Sequence, residues 1–171
     1  EGTGNIVGVT TNHRLKTTGI DLNLTEAATE SGDTYNLNSA ETTLTTTGES
    51  ALFYLKNLET TNLIITSIVI NIMDYVGTGG QPILKIYRNP TGGTISSGVS
   101  DCNEQNRNYG STKGLDMQCF QGVEGSTMTG EDNVVPVYLP TTLAVTLVDF
   151  STIVVLPKGS AIGISWTPPS G

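Results

Sequence analysis

Apolar and polar residues alternate in short segments over most of the chain. Turn residues separate these segments, which lie at positions 5–10, 51–58, 63–74, 82–88, 94–99, 115–122, 134–139, 143–149, 152–156 and 160–166. Alternation with a period of two is typical of strands that bury one face. A more polar segment, 34–46, is predicted to form a hairpin with few apolar side chains. The pattern predicts about ten strands.

Segment 63–74 is the longest of these and is rich in isoleucine, so we expect it to form a long strand near the centre of the fold. Alternation within the segments also gives a predicted core. Its members are Phe53, Leu55, Ile64, Ile68, Ile70, Ile72, Leu84, Ile86, Val145, Leu147 and Val154.

Helical signals are weak by comparison. Only residues 25–30 combine good helix formers with a possible N-cap, and they suffice for one or two turns. Turns such as 89–93, which contains Pro90 and Gly92, separate the strands. The chain is therefore predicted to be an all-β protein, an antiparallel β-sandwich with a jelly-roll arrangement.

The amino-terminal residues differ from the rest. Residues 1–20 are rich in glycine and threonine and contain few large apolar side chains, so they cannot bury much surface by themselves. We expect an extended N-terminal arm over 1–20 that becomes ordered on a neighbouring molecule. The β-sandwich domain is expected to span 21–171.

The charge of the chain narrows its possible ligands. The formal net charge is −8, and only eight basic residues occur, scattered along the sequence. Nucleic acid is not expected as a ligand on this basis, because phosphate binding requires clustered lysine and arginine. No stretch approaches the ~18 apolar residues of a membrane helix. Six acidic residues lie between Lys16 and Lys56 with no base among them, which indicates either a solvated face or a face that docks on a basic partner.

Residues that could carry chemistry are few. His13 is the only histidine and lies in the predicted arm, so neither a catalytic triad nor a zinc site is expected. Residues 130–133 are rich in oxygen ligands but lack the spacing of a calcium loop, and we interpret them as a polar turn. Trp166 is interpreted as a core or interface residue. We predict no catalytic, cofactor-binding or metal-binding residue and no enzymatic activity.

The chain has two cysteines, Cys102 and Cys119, which could form one disulfide bond. Cys119 lies on the same face of an alternating segment as Leu115 and Met117. A disulfide between the two cysteines would close a loop of about 18 residues. The alternative is a pair of idle thiols, and the sequence does not decide between them because neither compartment nor geometry can be read from it.

Several short segments resemble virion proteins of tailed bacteriophages. The segments are ALFYLKN at 51–57, YRNPTGGT at 87–94, NYGS at 108–111, GVEG at 122–125 and LPKGSA at 156–161. Together they extend over most of the chain from about residue 35 onward. The resemblance is one of pattern, and it brings no catalytic residues with it.

The resemblance implies a small jelly-roll subunit on the capsid surface of a virion. Such a capsid decoration or cement protein bridges and stabilises neighbouring capsid proteins without covalent bonds. The implied partners are the major capsid protein or other virion proteins, together with further copies of the chain in a dimer or trimer. An alternative is a phage tail module that recognises a receptor or carbohydrate, although the low aromatic content of 6% favours it less.

Overall fold

The computed structural model describes residues 24–45, 48–74, 80–96, 101–138, 144–150 and 154–169. Its elements, in chain order, are α1 (Leu24–Glu30), β1 (Tyr35–Asn38), β2 (Ser50–Asn57), β3 (Leu63–Ile65), β4 (Ile68–Asp74), β5 (Ile83–Arg88), a 3-10 turn (Thr94–Ser96), β6 (Asn103–Asn106), β7 (Met117–Gln121), β8 (Asn133–Tyr138), β9 (Ala144–Phe150), β10 (Val154–Leu156) and β11 (Ala161–Thr167). The short helix agrees with the one predicted at 25–30.

The chain divides into two compact units. Among the described residues, the smaller unit comprises 24–35 and 106–113, and the larger one comprises the described residues of 36–105 and those that follow 113. Helix α1 belongs to the smaller unit. All the long strands belong to the larger unit.

A five-stranded antiparallel sheet forms one layer of the larger unit, in the order β7-β2-β11-β5-β8. Strand β11 lies at its centre, and its burial is almost complete along its whole length. This explains why its sequence, AIGISWT, reads as a nearly continuous apolar run. The register places Ile164 between Phe53 of β2 and Ile86 of β5, so that all three side chains lie on one face.

The opposite layer consists of two antiparallel ribbons, β3 with β10 and β4 with β9. Residues from both layers meet in the core, among them Leu55, Ile162 and Trp166 from the five-stranded sheet and Leu156 and Ile68 from the ribbons. The strands of these two layers are antiparallel, which confirms the predicted all-β sandwich. The jelly-roll arrangement remains a prediction.

The long strand predicted at 63–74 is interrupted. Thr66 and Ser67 are both exposed and belong to no strand, which shifts the alternation by one residue between β3 and β4. Ile68 and Ile70 consequently face the core, whereas Ile64 is 57% exposed. The prediction of Ile64 as a core residue was wrong for this reason, since a single-residue shift moves alternate side chains to the other face.

Most other core predictions hold where side chains are described. Leu55 and Leu84 are buried, and Phe53, Ile86 and Val154 pack against the core clusters. The side chains of Ile72, Val145 and Leu147 lie outside the described residues.

Two strand predictions were wrong, and one strand was missed. Of the hairpin predicted at 34–46, only 35–38 forms a strand, β1. Strand β1 pairs with β6, and β6 is the strand that the sequence did not predict. In the predicted strand at 94–99, residues 94–96 form a 3-10 turn. The predicted strand at 5–10 and the predicted arm at 1–20 lie outside the described residues.

Both edges of the five-stranded sheet are closed to further strands. On β8, the N–H of Val134 donates to the Asn133 side-chain oxygen at 2.8 Å, and Pro136 has no N–H. Backbone N–H groups alternate in direction along a strand, and those at positions 134 and 136 would point away from β5, toward the outer edge of the sheet. On β7, the N–H of Cys102 donates to the carbonyl of Cys119 at 3.0 Å, beside the Asp101–Phe120 bridge. Strand addition is therefore not expected at either edge of this sheet.

Replacing Pro136 with threonine tests this closure. The substitution restores an N–H at the outer edge of β8, so we expect light scattering to detect concentration-dependent assemblies larger than those of the wild type. Val135→Thr is the matched control, because the N–H of Val135 has the opposite parity and points toward β5. Equal particle sizes for the two variants would contradict the role of Pro136.

Candidate functional site

Cys102 and Cys119 lie opposite each other at the β7 edge. The Cys102 N–H bonds to the Cys119 carbonyl, and the neighbouring pair Asp101–Phe120 sets an antiparallel register. Opposed residues of this kind have Cα atoms about 5.5 Å apart, within the usual disulfide range of about 4.4–6.8 Å. The structure contains both as free thiols, with Cys119 buried and Cys102 half-buried. The disulfide thus remains a prediction, and the backbone geometry permits it.

The two thiols share a hydrogen bond, which shifts their pKa values in opposite directions. This bond lowers the pKa of Cys102, while the same bond and then burial raise the pKa of Cys119. Cys102 is therefore the thiol that loses its proton first. Because the thiolate is the attacking species in disulfide exchange, Cys102 is expected to react first with an oxidant.

An open cleft of about 310 Å³ adjoins these thiols, and its walls include Asp101, Glu104, Leu115 and Met117. Glu104 is already engaged, because its Oε1 accepts the Leu115 N–H at 2.9 Å. Within the described ranges, no group of three or more histidine, cysteine or acidic side chains is placed to hold a metal ion. The thiol pair is thus the reactive feature of this cleft.

We expect the thiol pair to oxidise readily. Treatment with oxidised glutathione should convert both thiols to one disulfide with release of two equivalents of reduced glutathione. Mass analysis after alkylation, without reductant, should then find no free thiol, and reduction should lower the melting temperature. Two thiols that remain alkylatable in the folded protein after oxidant treatment would contradict this pairing.

In the smaller unit, helix α1 ends in a Schellman motif. Gly32 has a φ of 78°. The Asp33 N–H bonds to the carbonyl of Ala28 at 2.8 Å, and the Gly32 N–H bonds to the carbonyl of Thr29 at 3.0 Å. The carbonyls of Glu30 and Gly32 remain for other donors.

Residues 106–113, which we call the tip loop, supply those donors. The side-chain amide of Asn106 donates to the Gly32 carbonyl, and that of Asn108 donates to the Glu30 carbonyl, each at 2.8 Å. The Lys113 ammonium pairs with Asp33 at 2.8 Å. The tip loop is therefore fixed to the end of the helix by side-chain contacts.

The tip loop is also braced internally. The side-chain oxygen of Asn106 accepts the N–H of Asn108 at 2.9 Å, and that of Asn108 accepts the N–H of Gly110 at 3.0 Å. Such Asx turns hold the backbone of a short loop in one conformation. Tyr109 lies between these bonds, and it is 98% exposed.

The tip loop is locally basic in an acidic protein. Residues 106–113 contain Arg107 and Lys113 and no acidic residue. Lys113 is paired with Asp33, whereas Arg107 is exposed and has no ion pair among the described residues. The tip loop thus presents a tyrosine ring and a guanidinium group to solvent on a fixed backbone.

A separate polar cluster lies in the larger unit, around Glu49. Lys85 and Tyr87 of β5 and Ser165 of β11 all donate to the Glu49 carboxylate, with the Ser165 contact at 2.5 Å. Burial raises the pKa of Glu49, but the hydrogen bonds from Lys85, Ser165 and Tyr87 outweigh it, and the net pKa lies below the ordinary value. The carboxylate ties the start of β2 to two other strands. Its position and chemistry are those of a structural bond.

Other residues singled out in the sequence have plain structural roles. Trp166 is buried in the core, as expected. The segment at 130–133 leads into β8, and Asp132 there accepts a hydrogen bond from the Asn89 side chain at 2.7 Å. His13 lies outside the described residues.

The sequence marked the long irregular loop at 100–114 as a candidate functional loop, but it predicted neither the contacts that fix the tip loop nor the Glu49 cluster. The Asn-x-Asn spacing at 106–108, which fits consecutive Asx turns, was the signal available for the tip loop. The Glu49 cluster had no local signal, because its members are up to 116 residues apart.

Within the described residues, no helix is long and apolar enough to cross a membrane. The chain was compared with protein-family models, with curated proteins and with solved structures. No family model, curated protein or solved structure matches it.

Proposed function

We propose that this chain is a virion structural protein, a capsid decoration or cement subunit that binds neighbouring capsid proteins and stabilises them without covalent chemistry. The resemblance of its segments to tailed-phage virion proteins supports this proposal. The observation that carries it is the tip loop, which holds Tyr109 fully exposed on a braced backbone.

The tip loop has the properties of a contact site for another protein. Tyrosine and arginine, like tryptophan, are enriched among the residues that dominate binding at protein interfaces, because each combines a large contact surface with hydrogen-bonding groups. A loop that is already ordered loses little conformational entropy on binding. Tyr109 and Arg107 are thus suited to a partner surface that offers carboxylates and an apolar recess.

A subunit that binds capsid proteins through its tip loop would stabilise the shell. A protein that binds the assembled shell and not its separated subunits stabilises the shell by mass action. To bridge neighbours, a subunit needs either two contact sites or an oligomer that presents several tip loops. The virion role therefore includes the expectation of a dimer or trimer.

The tip loop also supports a second candidate function, the recognition of a receptor or carbohydrate by a phage tail. An exposed tyrosine on a fixed loop can stack on a sugar or dock on a cell-surface protein as well as on a capsid. Particle binding separates the two functions, since a cement acts on the virion itself and a recognition module acts on the host cell.

The test is an add-back experiment on virions that carry the protein. The protein is stripped from the particles, particle rupture by heat or osmotic shock is measured, and purified protein is then returned. Wild type should restore resistance, and Tyr109→Ala should weaken binding at least about tenfold. Tyr138→Ala is the matched control, because Tyr138 is an exposed tyrosine of the larger unit, on β8.

Unchanged rupture with and without the wild-type protein would overturn the cementing role. Binding of the wild type to host cells, with loss of that binding in Tyr109→Ala, would then make tail recognition the better proposal.

A further inference from the structure

Three sulfur-containing side chains line the cleft at the β7 edge, and we call them the sulfur group. The chain has two cysteines and three methionines, and the group consists of both cysteines and Met117. Met117 and Cys119 are two residues apart on β7, so their side chains lie on the same face of the strand. Cys102 stands opposite Cys119 and shares that face, because opposed residues of an antiparallel pair point to the same side.

The sulfur group lies at the boundary between the core and the cleft. Cys119 belongs to the buried cluster that includes Leu55 and Leu156, and Cys102 and Met117 pack against this cluster. Cys119 is buried, whereas Cys102 is half-buried and borders the open cleft. An apolar wall of this kind limits the access of water to a bound ion, which favours soft ligands and soft ions.

The charges around the cleft favour a cation. Asp101 and Glu104 line it together with the sulfur group, and its described lining residues include no lysine or arginine. Glu104 is held in place by the N–H of Leu115, and Asp101 is exposed. The protein as a whole also has a net charge of −8. A positive ion is therefore attracted to the cleft, and a negative one is repelled.

We propose that this cleft, in the reduced protein, binds one soft monovalent metal ion of the Cu(I) class through the thiolates of Cys102 and Cys119 and the thioether of Met117. Thiolate and thioether sulfurs are ligands that suit Cu(I). Binding releases both thiol protons to the solvent, because the thiolate is the coordinating form. The oxidation state of the ion does not change.

The ligand set disfavours zinc. Structural zinc sites hold the ion with four ligands from cysteine, histidine and carboxylate side chains. Among the described residues, no third side chain of these types is placed to join the two thiols. Cu(I) is satisfied by fewer ligands than zinc, and a thioether is a suitable one. Met117 therefore distinguishes the two ions.

The inference goes beyond the virion role and does not depend on it, because it concerns the isolated protein. It also differs from the predicted disulfide, since thiolates that hold an ion are not free to attack an oxidant. Met117 has no part in a disulfide. A variant at this position thus separates metal binding from oxidation.

Transfer of Cu(I) from a coloured chelator tests the site. The protein is reduced, freed of reductant without oxygen and mixed with the Cu(I)–bicinchoninate complex, whose absorbance falls as the protein takes up the ion. We expect one Cu(I) per chain. Cys102→Ser should lower the affinity for Cu(I) at least about 100-fold, since the loss of a ligand costs more than the loss of an outer-shell partner. Met117→Leu should lower it about tenfold.

Met128→Leu is the matched control for Met117→Leu. Met128 packs against a different core cluster, which includes Tyr54 and Ile95, and it does not line the cleft. Its replacement should leave the affinity for Cu(I) unchanged. Met117→Leu should still form the disulfide with oxidised glutathione, which would show that its two thiols remain opposed and that the fold is intact.

Four results would overturn the proposal. The first is a wild type that takes no Cu(I) from the chelator, and the second is a Cys102→Ser variant that binds as tightly as the wild type. Equal affinities of Met117→Leu and Met128→Leu would show that the thioether is not a ligand. Zinc bound as tightly as Cu(I) would show that the site does not select a soft ion.

Discussion

Replacing Gly122 with alanine is expected to lower the free energy of unfolding by about 3 kcal/mol or more, through overpacking against fixed backbone. A Cβ atom at this position would lie 1.7 Å from the carbonyl oxygen of Ala51. Neither partner can move easily. Ala51 is buried within β2 and donates its N–H to Ser126, and the Gly122 N–H bonds to Leu52 at 2.9 Å.

Thermal unfolding should show the loss directly, as a melting temperature lower by about 6–12 °C for a chain of this size. Gly125→Ala is the control, three residues away in the same turn. Gly125 has a φ of 77°, but no atom lies within 4 Å of the position that an alanine methyl group would occupy, so alanine there meets only backbone strain of about 1 kcal/mol. Equal losses for the two variants would contradict the importance of the Gly122–Ala51 approach.

The sequence predicted the strands of the five-stranded sheet because burial on one face imposes a period of two. Strand β5 at 83–88 and strand β8 at 133–138 lie within a residue of their predicted positions. The central strand β11 was predicted from the same alternation, at 160–166, although the structure buries it on both faces.

The irregularity in the β3–β4 segment could not be predicted. Thr66 and Ser67 are ordinary β residues, and nothing in their types marks the point at which the alternation shifts. The shift becomes visible only in the packing of Ile65 and Ile68, which both face the core although they are three residues apart. The exposure of Ile64, which the unbroken alternation had placed in the core, follows from this shift.

The pairing of distant segments could not be predicted from the sequence either. Strands β1 and β6 have the polar sequences YNLN and NEQN, which lack an apolar alternation strong enough to predict a partner. Cys102 and Cys119 were considered together only because they are the two cysteines of the chain. The register that opposes them depends on the Asp101–Phe120 bridge, which no local pattern encodes.

Replacing Glu49 with glutamine is expected to lower the free energy of unfolding at pH 7 by about 2 kcal/mol, since hydrogen bonds to a charged group contribute more than neutral ones. The Glu49 side chain is 32% exposed, so solvent screening keeps this figure well below the sum of three charged contacts. Glutamine has a similar shape. It can accept hydrogen bonds through one oxygen only and carries no charge opposite Lys85.

The acid dependence of stability gives a sharper test than the loss at neutral pH. Because the pKa of Glu49 is lower in the folded state than its ordinary value of 4.5, the unfolded state takes up a proton first as the pH falls. The stabilisation is complete above about pH 4.5 and is lost as the pH falls through the folded pKa. The free-energy difference between wild type and Glu49→Gln should therefore narrow below about pH 4.5.

Asp33→Asn is the control for this acid dependence. The hydrogen bond from Lys113, followed by that from Ser31, lowers the pKa of Asp33 as well, but the Asp33 side chain is exposed, at 56%. An exposed ion pair contributes little, so the unfolding curve of Asp33→Asn should overlay that of the wild type at pH 7. A stability difference between wild type and Glu49→Gln that stays constant from pH 7 to pH 3 would show that the carboxylate charge has no part in the cluster.

Tyr87 reports on the same cluster from the alkaline side. Burial, followed by its hydrogen bond to the Glu49 carboxylate, raises the pKa of Tyr87 to about 12. In Glu49→Gln the negative charge beside the phenol is absent, so Tyr87 should titrate at lower pH. The titration of this one tyrosine is isolated by subtracting the phenolate absorbance of the matching Tyr87→Phe variant from that of each protein. A Tyr87 titration that is identical with and without the Glu49 charge would mean that burial alone sets its pKa. The carboxylate would then tie β2 to Lys85 and Ser165 but not to Tyr87.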